Sequence, residues 1–399
     1  MSRTEAVLPG GPRLSDYLSI GVLAQVYPIA AVREALVSCG RASLRQRALP
    51  AEAMVYYVVA LGLFRSVSAR EVLRCLMEGL RWVSSDATLR VSGKSSISRA
   101  RTRLGSAPFE ALRAARVEPV ADPATRGSWY RGRRLVAFDG STLNVPDEAT
   151  NREAFGAPGA SRGRAAFPQV RLTALVEVGT RAAFAWRAGA YAESEEAQVE
   201  ALLPWLSTGM LVLADRGYCG FPLWRRAAST GADLLWRMKA NLRLPVLERF
   251  DDGSYRSVLR GSGQDRRRSR GECPVRVVEY RLDARSDVVY RLATTLLDPA
   301  AAPAAEVAAL YHERWEVETA YDEVKTHILG PGAILRSKTP DLVLQEVHGL
   351  MLAHYAVRRL IHEAARKVDE DPDRLSFVHA VRVVRRRVEN PGVSPLVSE

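Results

Sequence analysis

The sequence predicts an α/β protein whose mixed sheet follows an all-helical segment and is interrupted by a β-rich stretch. Three observations carry this. Residues 14–112 have helical periodicity with capping signals. From Arg134, short apolar runs alternate with helical ones, and two of the runs close on an aspartate. Residues 242–297 read as β only, and long amphipathic helices then return.

The elements follow in order. Residues 1–12 contain Gly and Pro and are expected to be loose. Met54-Val-Tyr-Tyr-Val-Val-Ala-Leu-Gly-Leu-Phe64 reads as a nearly all-apolar helix started by Pro50-Ala-Glu, and Ser68-Ala-Arg-Glu71 is a capping box for the next helix. Lys94-Ser-Ser-Ile-Ser-Arg-Ala-Arg-Thr-Arg-Leu-Gly105 is a helix that Ser95 or Ser96 can cap, with Arg99, Arg101 and Arg103 in its early turns. Short helices ending in a Ser/Arg-rich one suggest a helix-turn-helix-like reader of DNA, and a solvated helix explains the run equally well.

Residues 121–132 form a linker. Arg134-Leu-Val-Ala-Phe-Asp139 is a buried strand ending on a carboxylate, and in the strand 169–178 Val170, Leu172, Ala174 and Val176 share one face. A strand 182–191 and a helix 195–206 lead to Met210-Leu-Val-Leu-Ala-Asp215, a second buried strand ending on a carboxylate. A helix 221–230 and a strand 234–238 follow. In the β-rich stretch, strands 274–281 and 288–297 flank basic turns, among them 260–270, read as a solvated loop rather than a DNA contact. Pro303 precedes a long helix, and Thr339-Pro340 starts another. The expected domains are residues 1–125 (helical, DNA-binding), 126–241 (core, first part), 242–300 (β-rich insertion), 301–365 (core, second part, with the C-terminal helix) and 366–399 (basic tail).

The formal charge of +12 and pI near 9.8 favour a polyanionic partner. The preponderance of Arg over Lys also fits a GC-rich genome, but the basic residues are clustered. The four cysteines lack metal-ligand spacing, and all six histidines lie at or after His312, which argues against a zinc finger in the N-terminal half. With no signal-like N-terminus and no apolar run of membrane-span length, the expected location is the cytoplasm.

Read as a helix at about 100° per residue, the stretch 311–325 gathers Tyr311, Arg314, Trp315, Glu318 and Lys325 within one quadrant. Glu313, Glu316 and Glu323 fall outside it. A carboxylate flanked by a guanidinium, an ammonium and two rings suits a surface that holds a metal and grips phosphate. The plainer reading is an Arg314–Glu318 ion pair at i, i+4, which leaves Tyr311 and Trp315 unexplained. If the strands ending on Asp139 and Asp215 are neighbours and this helix packs beside them, three carboxylates converge and require a cation. Oxygen-only ligation suits Mg²⁺ or Mn²⁺, and two such ions serve phosphodiester displacement. Each aspartate, taken singly, also suits a turn or a helix cap.

These residues resemble the DDE transposases of the insertion sequence 4 family. Tyr311-x₂-Arg314-x₃-Glu318-x₆-Lys325 is similar to that family's signature, Asp215-Arg-Gly-Tyr218 to the block around its second Asp, and Val136-Ala-Phe-Asp-Gly-Ser-Thr142 to the block around its first. Leu335-Arg-Ser-Lys-Thr-Pro340 and Ala100-Arg-Thr-Arg-Leu-Gly105 extend the likeness over most of the chain. The resemblance implies an RNase H-like core with Asp139, Asp215 and Glu318 as catalytic metal ligands for Mg²⁺, with Mn²⁺ as substitute. It implies binding of double-stranded DNA, at the terminal inverted repeats and the target, by a bacterial protein. Cut-and-paste movement through a hairpin is implied as well. Tyr311, Arg314 and Lys325 would hold phosphates and Trp315 would stack on a flipped base. A second ring would come from Trp236, Tyr255, Tyr280 or Tyr290. A homodimer is expected, its interface either the helix 339–365 or elsewhere if that helix packs on the core. A nuclease that never joins ends, and a DNA-binding inhibitor with a relict core, are the alternatives.

Overall fold

The computed structural model describes residues 15–43, 49–65, 67–74, 76, 93–160, 163–164, 167–261, 271–281 and 289–385. The expected loose N-terminus, most of the basic loop 260–270 and the tail beyond residue 385 lie outside them. The N-terminal helices are α1 (Ser15–Val26), α2 (Ile29–Ser38), α3 (Ala51–Leu63), a helical stretch 69–74, α4 (Lys94–Leu104) and α5 (Ala107–Arg116). As the capping box requires, Ser68 Oγ accepts the Glu71 N–H at 3.2 Å. At α4 neither serine caps: Gly93 is the N-cap, and Ser95 and Ser96 lie exposed in the first turn.

A helix without a polar face must be enclosed on all sides. α3 is buried from Ala53 to Leu63 because it packs against the long C-terminal helix Pro340–Lys367. The two backbones meet at glycines. A methyl group at Gly349 would stand 2.7 Å from the Val58 carbonyl oxygen, and one at Gly62 3.1 Å from Leu350 Cα. One apolar cluster therefore runs from Leu23 to Val384.

The sheet begins with β1 (Trp129–Tyr130) and β2 (Arg133–Asn144). After α6 (Ala149–Phe155) and the small pair β3 (Gly159–Ala160) and β4 (Gly163–Arg164) come β5 (Gln169–Glu177) and β6 (Ala182–Ala190). Then follow α7 (Glu195–Glu200), β7 (Met210–Ala214), α8 (Phe221–Ala228) and β8 (Asp233–Arg237). β2, β7 and β8 are parallel, while β5 and β6 run antiparallel to their neighbours. β5 is buried on both faces over most of its length, not on the one face its alternation suggested, because helices cover both sides of the sheet.

The β-rich stretch supplies β9 (Glu248–Arg249), β10 (Tyr255–Leu259), β11 (Cys273–Tyr280) and β12 (Tyr290–Thr294). β12 pairs with β8, so these strands extend the central sheet, in the order β6-β5-β2-β7-β8-β12-β11-β10-β9. α9 (Ala304–Tyr311), a 3₁₀ turn His312–Arg314, α10 (Trp315–Asp322) and a π-helical turn Glu323–Ile328 form one continuous helical path across the sheet. α11 (Pro340–Lys367) and α12 (Phe377–Arg385) complete the chain. α11 packs against α3 and β6 and is buried over most of its length, so it takes the packed one of the two places expected for this helix. Among the described residues no helix is long and apolar enough to cross a membrane.

Candidate active site

Parallel strands bind ligands in the crevice beyond their carboxyl ends. Ala137 of β2 lies opposite Leu213 of β7, so two residues on, Asp139 and Asp215 reach the same level of the sheet. There β7 stops at Ala214, whereas β2 runs on through Asp139 along β5 to Asn144. The expected strand end at Asp139 is thus an end of its pairing with β7 only. Asp215 opens a 3₁₀ turn but caps nothing with its side chain, and its buried Oδ1 has no hydrogen-bond partner. Arg237 Nη1 stands 3.8 Å from that oxygen.

Two tyrosine hydroxyls fasten the 304–328 helical path to both aspartate-bearing strands. Tyr321 Oη donates to the Asp139 carbonyl at 2.7 Å, with the Leu172 carbonyl at 3.2 Å, and Tyr311 Oη donates to the Ala214 carbonyl at 3.2 Å. Arg314 joins the acids: its Nη2 is 2.7 Å from Glu318 Oε1 and its Nη1 3.7 Å from Asp139 Oδ2. The i, i+4 pair expected as the plainer reading is present, and the same guanidinium reaches the neighbouring strand. Lys325 Nζ donates to Ser141 Oγ at 3.1 Å, two residues past Asp139. The tightening before Trp315 and the π turn after Asp322 depart from a uniform helix, and π turns are frequent at functional sites.

Burial pushes the Asp139 carboxyl up to about 6; the Gly140 N–H and Arg314 pull it down, while Glu318 and Glu195 raise it further. Among the described residues no three His, Cys, Asp or Glu side chains are gathered closely enough to form a metal-binding group. In this structure the positive charge between the acids is Arg314. The donors nevertheless suit a hard divalent cation. They are carboxylate oxygens, and Asp215 Oδ1 is a buried acceptor without a donor.

The residues expected on DNA divide. Trp315 is 57% exposed with the Arg314 guanidinium 5.4 Å from its ring centre, and Lys325 is exposed. Arg99 and Arg103 are exposed on one face of α4. Tyr311 corrects the expectation of a phosphate contact: it is buried, and its proton is committed to Ala214. Arg101 turns inward, donating to Gln345 Oε1 at 2.7 Å and to Ser337 Oγ at 3.0 Å, because its side of α4 faces α11. Of the four rings left open, Trp236 is sealed in the core against Phe138 and Trp224, and Tyr255 is buried and donates to Glu279. Tyr280 and Tyr290 are half-buried, stacked at 5.5 Å, with Arg237 4.6 Å from the Tyr290 ring centre. Arg237 escaped the sequence reading because only the β7–β8 register, Ala214 opposite Trp236, sets it beside Asp215. Glu195 escaped it as well, since a glutamate opening a helix is an ordinary first-turn acid.

Residues 17–114 match the family model of the insertion element 4 transposase N-terminal region, and residues 130–356 match that of the transposase DDE domain. Transposase InsG for insertion sequence element IS4 of Escherichia coli (strain K12) is 28% identical over 373 residues, which cover 91% of this chain and 82% of that protein. Putative transposase InsZ of the same organism is 25% identical over 224 residues, 56% of this chain and 72% of that one. Among solved structures, that of the piggyBac transposase synaptic complex with hairpin DNA aligns at a TM-score of 0.50 and 11% identity, covering 94% of this chain and 83% of that chain. At this identity the likeness is one of fold.

Proposed function

The chain belongs to the DDE transposases of the insertion sequence 4 family, RNase H-like enzymes that cleave and transfer DNA strands, and from that membership we propose that Asp139, Asp215 and Glu318 are its catalytic carboxylates. The observation that carries the assignment is the fastening of the Glu318 helix to both aspartate strands, through Tyr321 to Asp139 and Tyr311 to Ala214. Both anchors fall where β2 and β7 part, at the level of Asp139 and Asp215.

The three carboxylates would hold Mg²⁺, or Mn²⁺ in its place, as two ions. When bound, such cations favour deprotonation of an attacking water or 3′-hydroxyl and stabilise the leaving oxygen of an in-line displacement. The protein's own groups orient the DNA. Arg314 is buried, its guanidinium between Glu318 and Asp139, and would take a phosphate oxygen by turning its fork from those acids as DNA enters. Lys325 supplies a point charge at the mouth of the crevice. Trp315 and the Tyr280–Tyr290 stack flank Arg314 and Arg237, and rings so placed suit a base turned out of the duplex at a hairpin end. Arg99 and Arg103 are the α4 residues presented to double-stranded DNA at the terminal inverted repeats. The element moves by cut and paste, with a homodimer pairing its two ends.

The test is cleavage of a duplex bearing the element's own ends, read from the DNA flanking the reading frame, in the presence of Mg²⁺. Nicking followed by joining to target DNA is expected. Cutting without joining would favour the nuclease, and specific binding without cutting in Mg²⁺ or Mn²⁺ would favour the relict binder.

A further inference from the structure

Glu195 is the acid that neither the motif nor the family pattern singles out. It opens α7, whose start is fixed by Ser194 Oγ accepting the Ala197 N–H at 3.1 Å. Its side chain reaches back over β2 at the residue after Asp139. A Cβ placed on Gly140 would stand 3.1 Å from Glu195 Cδ, 3.2 Å from its Cγ and 3.3 Å from Oε1. Glycine at 140 is thus the residue that lets a carboxylate lie against the strand there. On the other side of the same residue, Asp139 Oδ1 accepts the Gly140 N–H at 2.8 Å. The two acids stand close enough for the charge on Glu195 to weigh on Asp139.

The partners of Glu195 leave it available. Arg171 Nη1 lies 2.6 Å from Oε1, and Tyr218 Oη only 3.4 Å from Oε2. Arg171 is itself held by the Tyr191 carbonyl through Nε and Nη2 and packs against the Tyr191 ring, so it stays in place without Glu195. The glutamate side chain is 44% exposed, and an ion pair with so exposed a partner contributes little to stability. Glycine inside a strand weakens it by a comparable amount. Stability alone therefore does not account for a carboxylate kept over a glycine beside Asp139.

We propose that Glu195 is a fourth carboxylate of this centre, an oxygen donor facing the same divalent cation as Asp139. The proposal rests on reading Asp139 as a metal ligand. Mn²⁺ titration of the full chain at neutral pH, with free Mn²⁺ read by electron paramagnetic resonance, tests it without calling on activity. Asp139→Asn and Glu195→Gln should each weaken Mn²⁺ binding about tenfold or more. Arg171→Gln breaks the same ion pair from its other end and should leave Mn²⁺ affinity undiminished. Gly140→Ala pushes the Glu195 carboxyl aside without removing it and should also weaken binding, which keeps the test open if Glu195→Gln does not fold. Weakening in Asp139→Asn with Glu195→Gln and Gly140→Ala unchanged would overturn the fourth carboxylate alone. No Mn²⁺ binding by the wild type, or no change in Asp139→Asn, would overturn the metal reading of the centre and this proposal with it.

Discussion

The helical path from Trp315 to Ile328 has two charged faces that the protein uses in opposite ways. On the back face, Glu323 is 2% exposed and receives Arg358 Nε at 2.8 Å and His354 Nε2 at 2.9 Å. Arg181 bonds Glu316 and stands 3.4 Å from Asp373 and 3.9 Å from Glu323. On the front face, Glu318 is 40% exposed, and Trp315 and Lys325 are open. Both faces pair Glu with Arg, Glu318 with Arg314 one turn away and Glu323 with Arg358 of α11. Burial decides which acids stabilise the fold. His354 shows the same physics: burial pushes it down to about 3, so it is neutral at physiological pH and donates a hydrogen bond to Glu323 rather than pairing as a cation.

If the faces differ as described, front-face changes should abolish chemistry and spare the fold, and back-face changes should do the reverse. The largest effect is expected for Asp215→Asn. DNA cleavage should fall by at least about 10³-fold with the thermal midpoint nearly unchanged, as calorimetry and a nicking assay would show. Arg358→Met should cost about 3–5 kcal/mol because it strands Glu323 in the core. Adding Glu323→Gln should restore much of that loss in urea titration. A stable but inactive Arg358→Met would break the distinction between the faces.

Asp139 sharpens it through pH. Its folded-state value, about 6, lies above that of an unfolded aspartate. The folded state therefore binds the extra proton between about pH 4 and 6, and stability falls as pH rises through that window. Asp139→Asn removes the penalty. In the absence of metal it should stabilise the fold by about 1–3 kcal/mol at pH 7.5 and by almost nothing at pH 4, read as the difference in denaturation midpoints. A stabilisation that did not vary with pH would contradict the buried-carboxylate account.

The smallest effects concern DNA contacts. Lys325→Ala should weaken binding of an element-end duplex about tenfold. Arg99→Ala and Arg103→Ala should each lower the salt slope of binding by about 1. Arg101→Ala should leave that slope alone and cost about 1–2 kcal/mol of stability instead, since its partners are Gln345, Ser337 and the Leu342 carbonyl.

What was legible in the sequence follows from range. Strands β2, β5, β6, β7, β8, β11 and β12 fall where apolar runs between turn residues set them, and the Arg314–Glu318 contact follows from helical spacing. Distinctions set by distant neighbours were not legible. Arg99, Arg101 and Arg103 are alike in sequence, and only the packing of α4 on α11 turns one inward. Tyr311 and Trp315 shared a predicted quadrant, yet the sheet beneath buries the first and leaves the second exposed. The placement of Glu195 against Gly140, of Arg237 beside Asp215 and of Tyr290 against Arg237 depends on strand register and on a glycine, which no local pattern announces.

The most direct test of the central claim is Glu318→Gln on an element-end duplex in Mg²⁺, with binding and cleavage measured on the same preparation. The account predicts wild-type DNA affinity, an unchanged thermal midpoint and no detectable cleavage. Cleavage at the wild-type rate would contradict it, because the front face of the helix would then take no part in the chemistry.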